Sequence, residues 1–311
     1  MSVLFGVAYG LYFSGRGVAL FTVAPAVCTY SFTGAITSTA EPSILTGSNF
    51  ITPELVGKVL HRAKSEGCRA LVLSVNSPGG EVAASHEIYK RFVNFRRETK
   101  VPVVVYMEGV AASGGYYISL GADHIVANPG TMTGSVGAVG TLISVKELLD
   151  KLGIDIVTVK SGEYKDVGNN FREIRDADIE FMRDLIDKYF EQFARLVKEV
   201  RGNKLNPAYE REIFNAKLFL GDEAFEAGLV DEVGTFEDAV AKARELSGLP
   251  SDAPVRELRV TTPSLFQLPI SISAGETPLS PSGMHVLYIE PSHIAQYLLS
   301  TEVRVWQFQG P

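Results

Sequence analysis

The chain has 311 residues and is 46% hydrophobic, enough to bury one large core or a core with a small appendage. Its 36 acidic side chains exceed the 29 basic ones, and the resulting net charge of −7 argues against nucleic acid as a main partner. The two cysteines, Cys28 and Cys68, lie in or beside apolar strands and read as unpaired core residues, which leaves the redox compartment undefined.

From Met1 to about Ala26, the apolar stretches VLFGVAYGLYF and VALFTVAPAV flank Ser14-Gly15-Arg16-Gly17. Neither stretch spans a bilayer alone. Together they approach the roughly 20 residues required, with Arg16 near the middle costing about 2.5–3.5 kcal/mol on insertion. A membrane anchor and a buried N-terminal strand or hairpin both fit this segment; a signal peptide fits less well, because the start is not basic.

From about Val27 to Pro250 strands and helices alternate, beginning with a strand near Val27–Ile36 and a helix near Pro53–Ser65. This is the pattern of an α/β domain with a mostly parallel sheet flanked by helices. Leu71–Gly80, LVLSVNSPGG, reads as a buried strand that ends in a glycine turn before the amphipathic stretch Glu81–Thr99. Pro78 stiffens that turn, and without a Cβ the backbone of Gly79 and Gly80 can approach a ligand and offer its amides to a carbonyl oxygen. An ordinary strand-to-helix turn has the same composition.

Val101–Met107 is too short and too β-branched for a helix and reads as a second buried parallel strand. It leads into GVAASGGYY, where Ser113 stands between small residues and opens a helix. Free N–H groups at that junction suit a nucleophile with an oxyanion to stabilise, although a plain N-cap serine also fits. Two such turns after neighbouring strands lie side by side at the carboxyl ends, the usual ligand crevice of α/β sheets.

A serine nucleophile needs a base within hydrogen-bond reach. His61 and His86 fall on polar helix faces, His124 begins the strand HIVAN beyond the serine helix, and His285 and His293 belong to the tail. Lys165, in SGEYKDVGNN after an expected strand Ile154–Lys160, is the better candidate, set against the usual reading of a loop lysine as a solvated charge. His86-Glu87 lacks the second histidine of a zinc helix, and Gly130, Gly134, Gly137 and Gly140 form no GxGxxG phosphate loop, so neither metal nor cofactor is expected. Asp178–Arg201 carries apolar residues at alternating steps of three and four, a long amphipathic helix. Ser251–Pro311 opens as a Pro/Ser-rich linker and closes on the apolar segments HVLYIEPSHIAQYLLS and EVRVWQFQ, expected to dock as a strand or helix in the substrate groove or on a neighbouring protomer.

SVNSPGG (74–80), ASGGYY (112–117), TGSVG (133–137), SGEYKDVGNNFRE (161–173) and FNAKLFLGDEAFEAGLVDEVGTFEDAV (214–240) occur in the order and spacing of the signal peptide peptidase A family, also called protease IV. The resemblance covers roughly residues 30–248 and leaves the C-terminal extension outside it. It implies a Clp/crotonase-like fold and a serine–lysine dyad. By motif, Ser113 resembles the nucleophile, Lys165 the general base, Ser135 the hydroxyl that orients the lysine, and Gly114 with Gly79 or Gly80 the oxyanion donors. The Clp proteases themselves place a histidine some two dozen residues beyond their serine; here that position is Val136–Val139, which favours lysine.

A lysine base near neutrality requires its reference pKa of about 10.4 to fall by several units, so Lys165 is expected to be largely covered, with Ser135 beside it and Glu163 and Asp166 turned away. The resemblance implies hydrolysis of peptide bonds in remnant signal peptides and other unfolded or hydrophobic chains, by a homo-oligomer that encloses its sites. The chain is then membrane-associated if anchored and otherwise cytoplasmic. Competing readings are a crotonase-like acyl-CoA enzyme, a broader quality-control protease and a catalytically silent membrane scaffold.

Overall fold

The computed structural model describes residues 24–39 and 50–260. The apolar N-terminal segment up to residue 23 and the tail from residue 261 lie outside them.

Strand β1 (Val27–Thr33) and the short strands β2 (Ala35–Ile36) and β3 (Phe50–Ile51) precede α1 (Pro53–Ser65). The Thr52 hydroxyl accepts a hydrogen bond from Leu55 N at 3.1 Å, and Pro53 brings its fixed φ to the first turn, so this helix starts where the sequence places it. Two strand–turn–helix units follow: β4 (Ala70–Ser77) with α2 (Val82–Thr99), and β5 (Val103–Ala112) with α3 (Gly114–Ser119). After β6 (His124–Ala127) and β7 (Met132–Gly134) come α4 (Lys146–Lys151), a 3-10 turn (Glu163–Asp166) and the long α5 (Asp176–Arg201). The described chain ends with α6 (Glu210–Ile213), β8 (Leu218–Leu220), α7 (Gly221–Glu226), β9 (Glu232–Val233), α8 (Phe236–Ser247) and β10 (Val255–Glu257).

The sheet runs β10-β1-β4-β5-β6-β9, and each neighbouring pair is parallel. Alternate residues of its strands face opposite layers. Leu71, Leu73, Val75, Val103 and Val105 join Ile88, Phe92 and Tyr116 beneath α2 and α3. Val27, Ala70, Val72, Val104 and Val126 pack on Ala239, Val240 and Ala243 of α8. Because both faces are covered, β4 is buried at every position except Asn76, the apolar run expected of a central parallel strand. β10 adds to the outer edge of β1, and Leu258 behind it is buried, so the sheet continues past residue 250, where the sequence places the end of the domain.

Two expectations are corrected. Cys28 and Cys68 are not free thiols: their sulfurs form a disulfide, with the Cα atoms 5.7 Å apart. The β1–β4 register sets Val27 against Ala70 and Cys28 against Leu71, which brings the turn before β4 to the start of β1; a separation of 40 residues concealed this proximity. Ile154–Lys160 is no strand. It pairs with no strand among the described residues and leaves Val157 and Val159 about nine-tenths exposed, so its apolar alternation covers no sheet face there.

Candidate active site

The site begins with an irregularity between β4 and β5. Val75 pairs with Met107 and Ser77 with Ala111, so β5 carries two more residues than β4 over this interval. The Asn76 side chain fills the step by accepting a hydrogen bond from Val110 N at 3.2 Å. β5 is thereby prolonged beyond the run read as its strand, and delivers Ser113 against the turn that follows β4.

The two turns are in direct contact. A Cβ added to Gly79 would lie 2.7 Å from Gly114 N and 2.9 Å from Ser113 Cβ, and the φ of Gly79 is +104°, so both space and conformation require glycine there. Gly80 is held from the other side by β2: Ile36 N donates to Gly79 O, and Glu81 N donates to Ile36 O, each at 2.9 Å. These bonds distinguish the two glycine amides. Gly79 N donates to Ser77 Oγ at 3.2 Å, whereas Gly80 N finds no acceptor among the described residues.

Ser113 has φ +52°, a conformation that costs a non-glycine residue energy and that the surroundings must enforce. Ser113 N donates to Gly134 O at 2.9 Å and Tyr117 N donates to Ser113 O at 2.8 Å, pinning the backbone on both sides while Oγ makes no hydrogen bond among the described residues. The hydroxyl belongs to a turn strained for exposure rather than to a capping interaction. β7 pairs Gly134 with Ala112, so the next residue on each strand is a serine, and Ser135, with φ +50°, follows the pairing as Ser113 does.

A small cavity opens at Ser113, lined by Val82, Tyr117, Tyr189 and Phe193 and edged by His86. His86 Nδ1 and Tyr117 Oη are 2.9 Å apart, and burial pushes the Tyr117 hydroxyl up to about 12. His86 is exposed, as its place on a polar helix face suggests, yet one ring nitrogen reaches Tyr117; the signal for that contact is the spacing of Val82, Ser85 and His86 on one face of α2. His61 instead lines a separate cavity of about 700 Å³ between α1 and α2, and His124 meets Glu232 at 3.0 Å. In that larger cavity Lys58, Arg62 and Arg91 are already paired with Glu54, Glu66 and Glu87.

Lys165 departs from expectation. It is exposed on the 3-10 turn and does not line the Ser113 cavity; residues 139–175 carry no sheet pairing among the described residues. Its amine forms no ion pair with Glu163 or Asp166 among the described residues. Asp166 turns inward. Its carboxylate accepts from Lys160 Nζ at 2.8 Å, Arg172 Nε at 2.9 Å and Arg175 at 3.1 Å. The Lys160 hydrogen bond, followed by the hydrogen bond and charge of Arg172 and the charge of Arg175, holds it down to about 2.

The sequence profile of Peptidase family S49 matches residues 95–250, and that of Clp protease matches residues 44–133. The chain belongs to peptidase family S49. A putative protease of Methanocaldococcus jannaschii is 39% identical over 186 residues, which are 60% of this chain and 58% of that protein. One from Synechocystis is 36% identical over 71% of this chain and 74% of its own length. A putative signal peptide peptidase of Enterococcus faecium is 29% identical over 75% of this chain and 66% of its own. The chain thus spans between 58% and 74% of the length of these relatives. In this S49 chain the Clp protease match runs through both glycine turns and ends at Thr133, while the S49 match alone includes the lysine segment.

Proposed function

We propose that this S49 chain is a serine endopeptidase in which Ser113 is the nucleophile, Lys165 the general base and Ser135 the hydroxyl that orients the amine. The observation that carries the reading is Ser113 itself: a strained serine with a bare Oγ, seated between the Gly80 amide and the first turn of α3. Ser113 Oγ attacks the peptide carbonyl carbon while its proton passes to the Lys165 amine. The carbonyl electron pair moves onto oxygen, where the Gly80 and Gly114 N–H groups hold it; Gly79 N, already donating to Ser77, is not the partner. Collapse breaks the C–N bond, the Lys165 ammonium protonates the departing amine, and water releases the acyl group by the same route.

The dyad is completed between copies of the chain. Within one chain Lys165 lies outside the Ser113 cavity, and the ion pairs around Asp166 tie its turn to α5, which opposes a local swing. The same region exposes Val139, Ile143, Leu148, Ile156, Val157 and Val159 together with Ile179 and Phe181 of α5, apolar surface that a second copy would cover. Coverage also supplies the desolvation that an amine base needs.

Peptide hydrolysis by the wild type, Ser113→Ala and Lys165→Ala, with product masses recorded, tests the chemistry: loss in both variants supports the dyad. Retention in Lys165→Ala removes lysine from the mechanism. Mixing the two inactive variants tests the assembly, because a dyad shared between copies regains activity in mixed particles and one confined to a single chain does not.

The largely apolar cavity and the free Gly80 amide beside it suit extended hydrophobic chains, including signal peptides, the substrate in the name of the Enterococcus relative, and equally other unfolded polypeptides. Among the described residues no helix is long and apolar enough to cross a membrane. Attachment through residues 1–26 therefore remains a proposal, tested by whether deleting them releases the protein from membranes. The Cys28–Cys68 disulfide favours a domain that works in an oxidising compartment rather than in a reducing cytoplasm, and thiol labelling of protein taken directly from cells checks this.

A further inference from the structure

Lys165 and Asp166 are consecutive on a 3-10 turn, where successive side chains diverge by about 120° because three residues complete one turn. One emerges into solvent; the other is almost wholly buried. Asp166 Oδ1 accepts from Lys160 Nζ and from Arg175, Oδ2 accepts from Arg172 Nε, and the Asp166 carbonyl accepts from Arg172 at 2.6 Å. Arg172 continues to Asp178 at 2.5 and 2.9 Å, and the Asp178 carboxylate accepts Arg175 N at 3.0 Å at the start of α5. Lys160 closes the other end by donating to Glu163 O at 3.2 Å.

The result is a belt from residue 160 to residue 178 with Asp166 at its centre. The Asp166 and Asp178 side chains are 7% and 3% exposed, and three cations face these two carboxylates. A carboxylate next in sequence to a catalytic amine is ordinarily a hazard, because an ion pair would keep the amine protonated. Here both Asp166 oxygens are already occupied by other donors. The same bonds, with Tyr164 stacked on Phe181 of α5 at 5.3 Å, fasten a turn that has no sheet partner among the described residues.

We infer that Asp166 is a positioning residue for the Lys165 base: clamped by Lys160, Arg172 and Arg175, it anchors the lysine turn to α5 and directs the amine outward, unpaired, toward Ser113 of a neighbouring copy. The inference rests on Lys165 being the base. It adds that this base is placed by an ionic belt rather than by a hydrophobic core. Removing one partner of a buried charge cluster leaves the others uncompensated, so the belt should loosen as a unit.

The experiment compares Asp166→Asn and Asp166→Glu with the wild type, scoring kcat and KM per assembled particle alongside particle size and thermal unfolding. Asp166→Asn is expected to lower kcat by about 10- to 100-fold, the range of a base displaced by an ångström or so, with KM within about twofold. Asp166→Glu, which keeps the charge, should recover most of the loss. If Asp166→Asn does not assemble, Lys160→Met removes a single arm and should lower kcat at least about threefold without moving KM, as a smaller displacement would. Unchanged kcat in the assembled variants overturns the inference, as does a loss that only tracks the fraction folded and that glutamate does not restore. A Lys165→Ala enzyme that stays active refutes the underlying dyad instead, which keeps the two failures separate.

Discussion

The two halves of the proposed dyad are held in opposite ways. Ser113 stands at the end of a central strand, with its backbone fixed by Gly134 and Tyr117 and with Ser85 and Gly80 leaving no room for a Cβ on the next residue, Gly114. Lys165 stands on an exposed segment without sheet pairing, fastened mainly by ion pairs and by the stacking of Tyr164 on Phe181. A nucleophile and an oxyanion pocket depend on backbone atoms placed within tenths of an ångström, and a buried parallel sheet supplies that placement. A base that works only on assembly can ride on a surface loop, provided its own turn stays rigid. On the proposed reading, the contrast makes the nucleophile half a property of the fold and the base half a property of an assembly of copies.

The comparison is broken most severely by removing either reacting group. Ser113→Ala and Lys165→Ala should each reduce peptide hydrolysis by about 10³-fold or more while leaving thermal unfolding near that of the wild type, since removal of one member of a catalytic unit costs nearly as much as removal of the whole. Gly79→Ala comes next. Its new Cβ meets backbone at 2.7 Å in a conformation with φ +104°, so kcat should fall by about 100-fold, the loss expected of a displaced oxyanion donor, and unfolding should occur at a lower temperature. A stable, fully active Gly79→Ala protein would show that the two turns do not need their close approach.

Acid should separate the halves. Asp166 is held near 2 against an ordinary value of 3.8, so the stability it lends is present above pH 3.8 and is lost as pH falls from there toward 2. Limited proteolysis with an acid protease should therefore cut within residues 139–175 as that window is crossed, before the sheet unfolds; simultaneous loss of both regions would contradict the division. Cys28→Ser tests the far end of the sheet. Opening the disulfide should cost about 2–4 kcal/mol in denaturant unfolding, the usual value for such a crosslink, with hydrolysis below the transition unchanged because the bond lies at the opposite end of β1 from the catalytic turns.

Much of the nucleophile half was legible beforehand. The β-branched runs could only be covered strands, and glycines at positions 79 and 80 and around Ser113 marked backbone that must approach closely. What the strands touch was not. The two-residue excess of β5 opposite Asn76, the pairing of Cys28 with Cys68 and the occupation of Gly79 N by Ser77 all follow from register between segments distant in sequence. The Lys165 segment misled in a different way: Ile154–Lys160 has the alternation of a strand but pairs with no strand among the described residues.

The sequence by itself determined the family, the parallel α/β framework and the residue types offered to the reaction, because backbone conformation and hydrophobic pattern are written locally. The tertiary structure alone decided which glycine amide is free among the described residues, that the cysteines are joined, and that Lys165 is exposed outside the lining of the Ser113 cavity. Those outcomes depend on distances between separate elements, which are fixed only when the strands take their register and the charged side chains choose their partners.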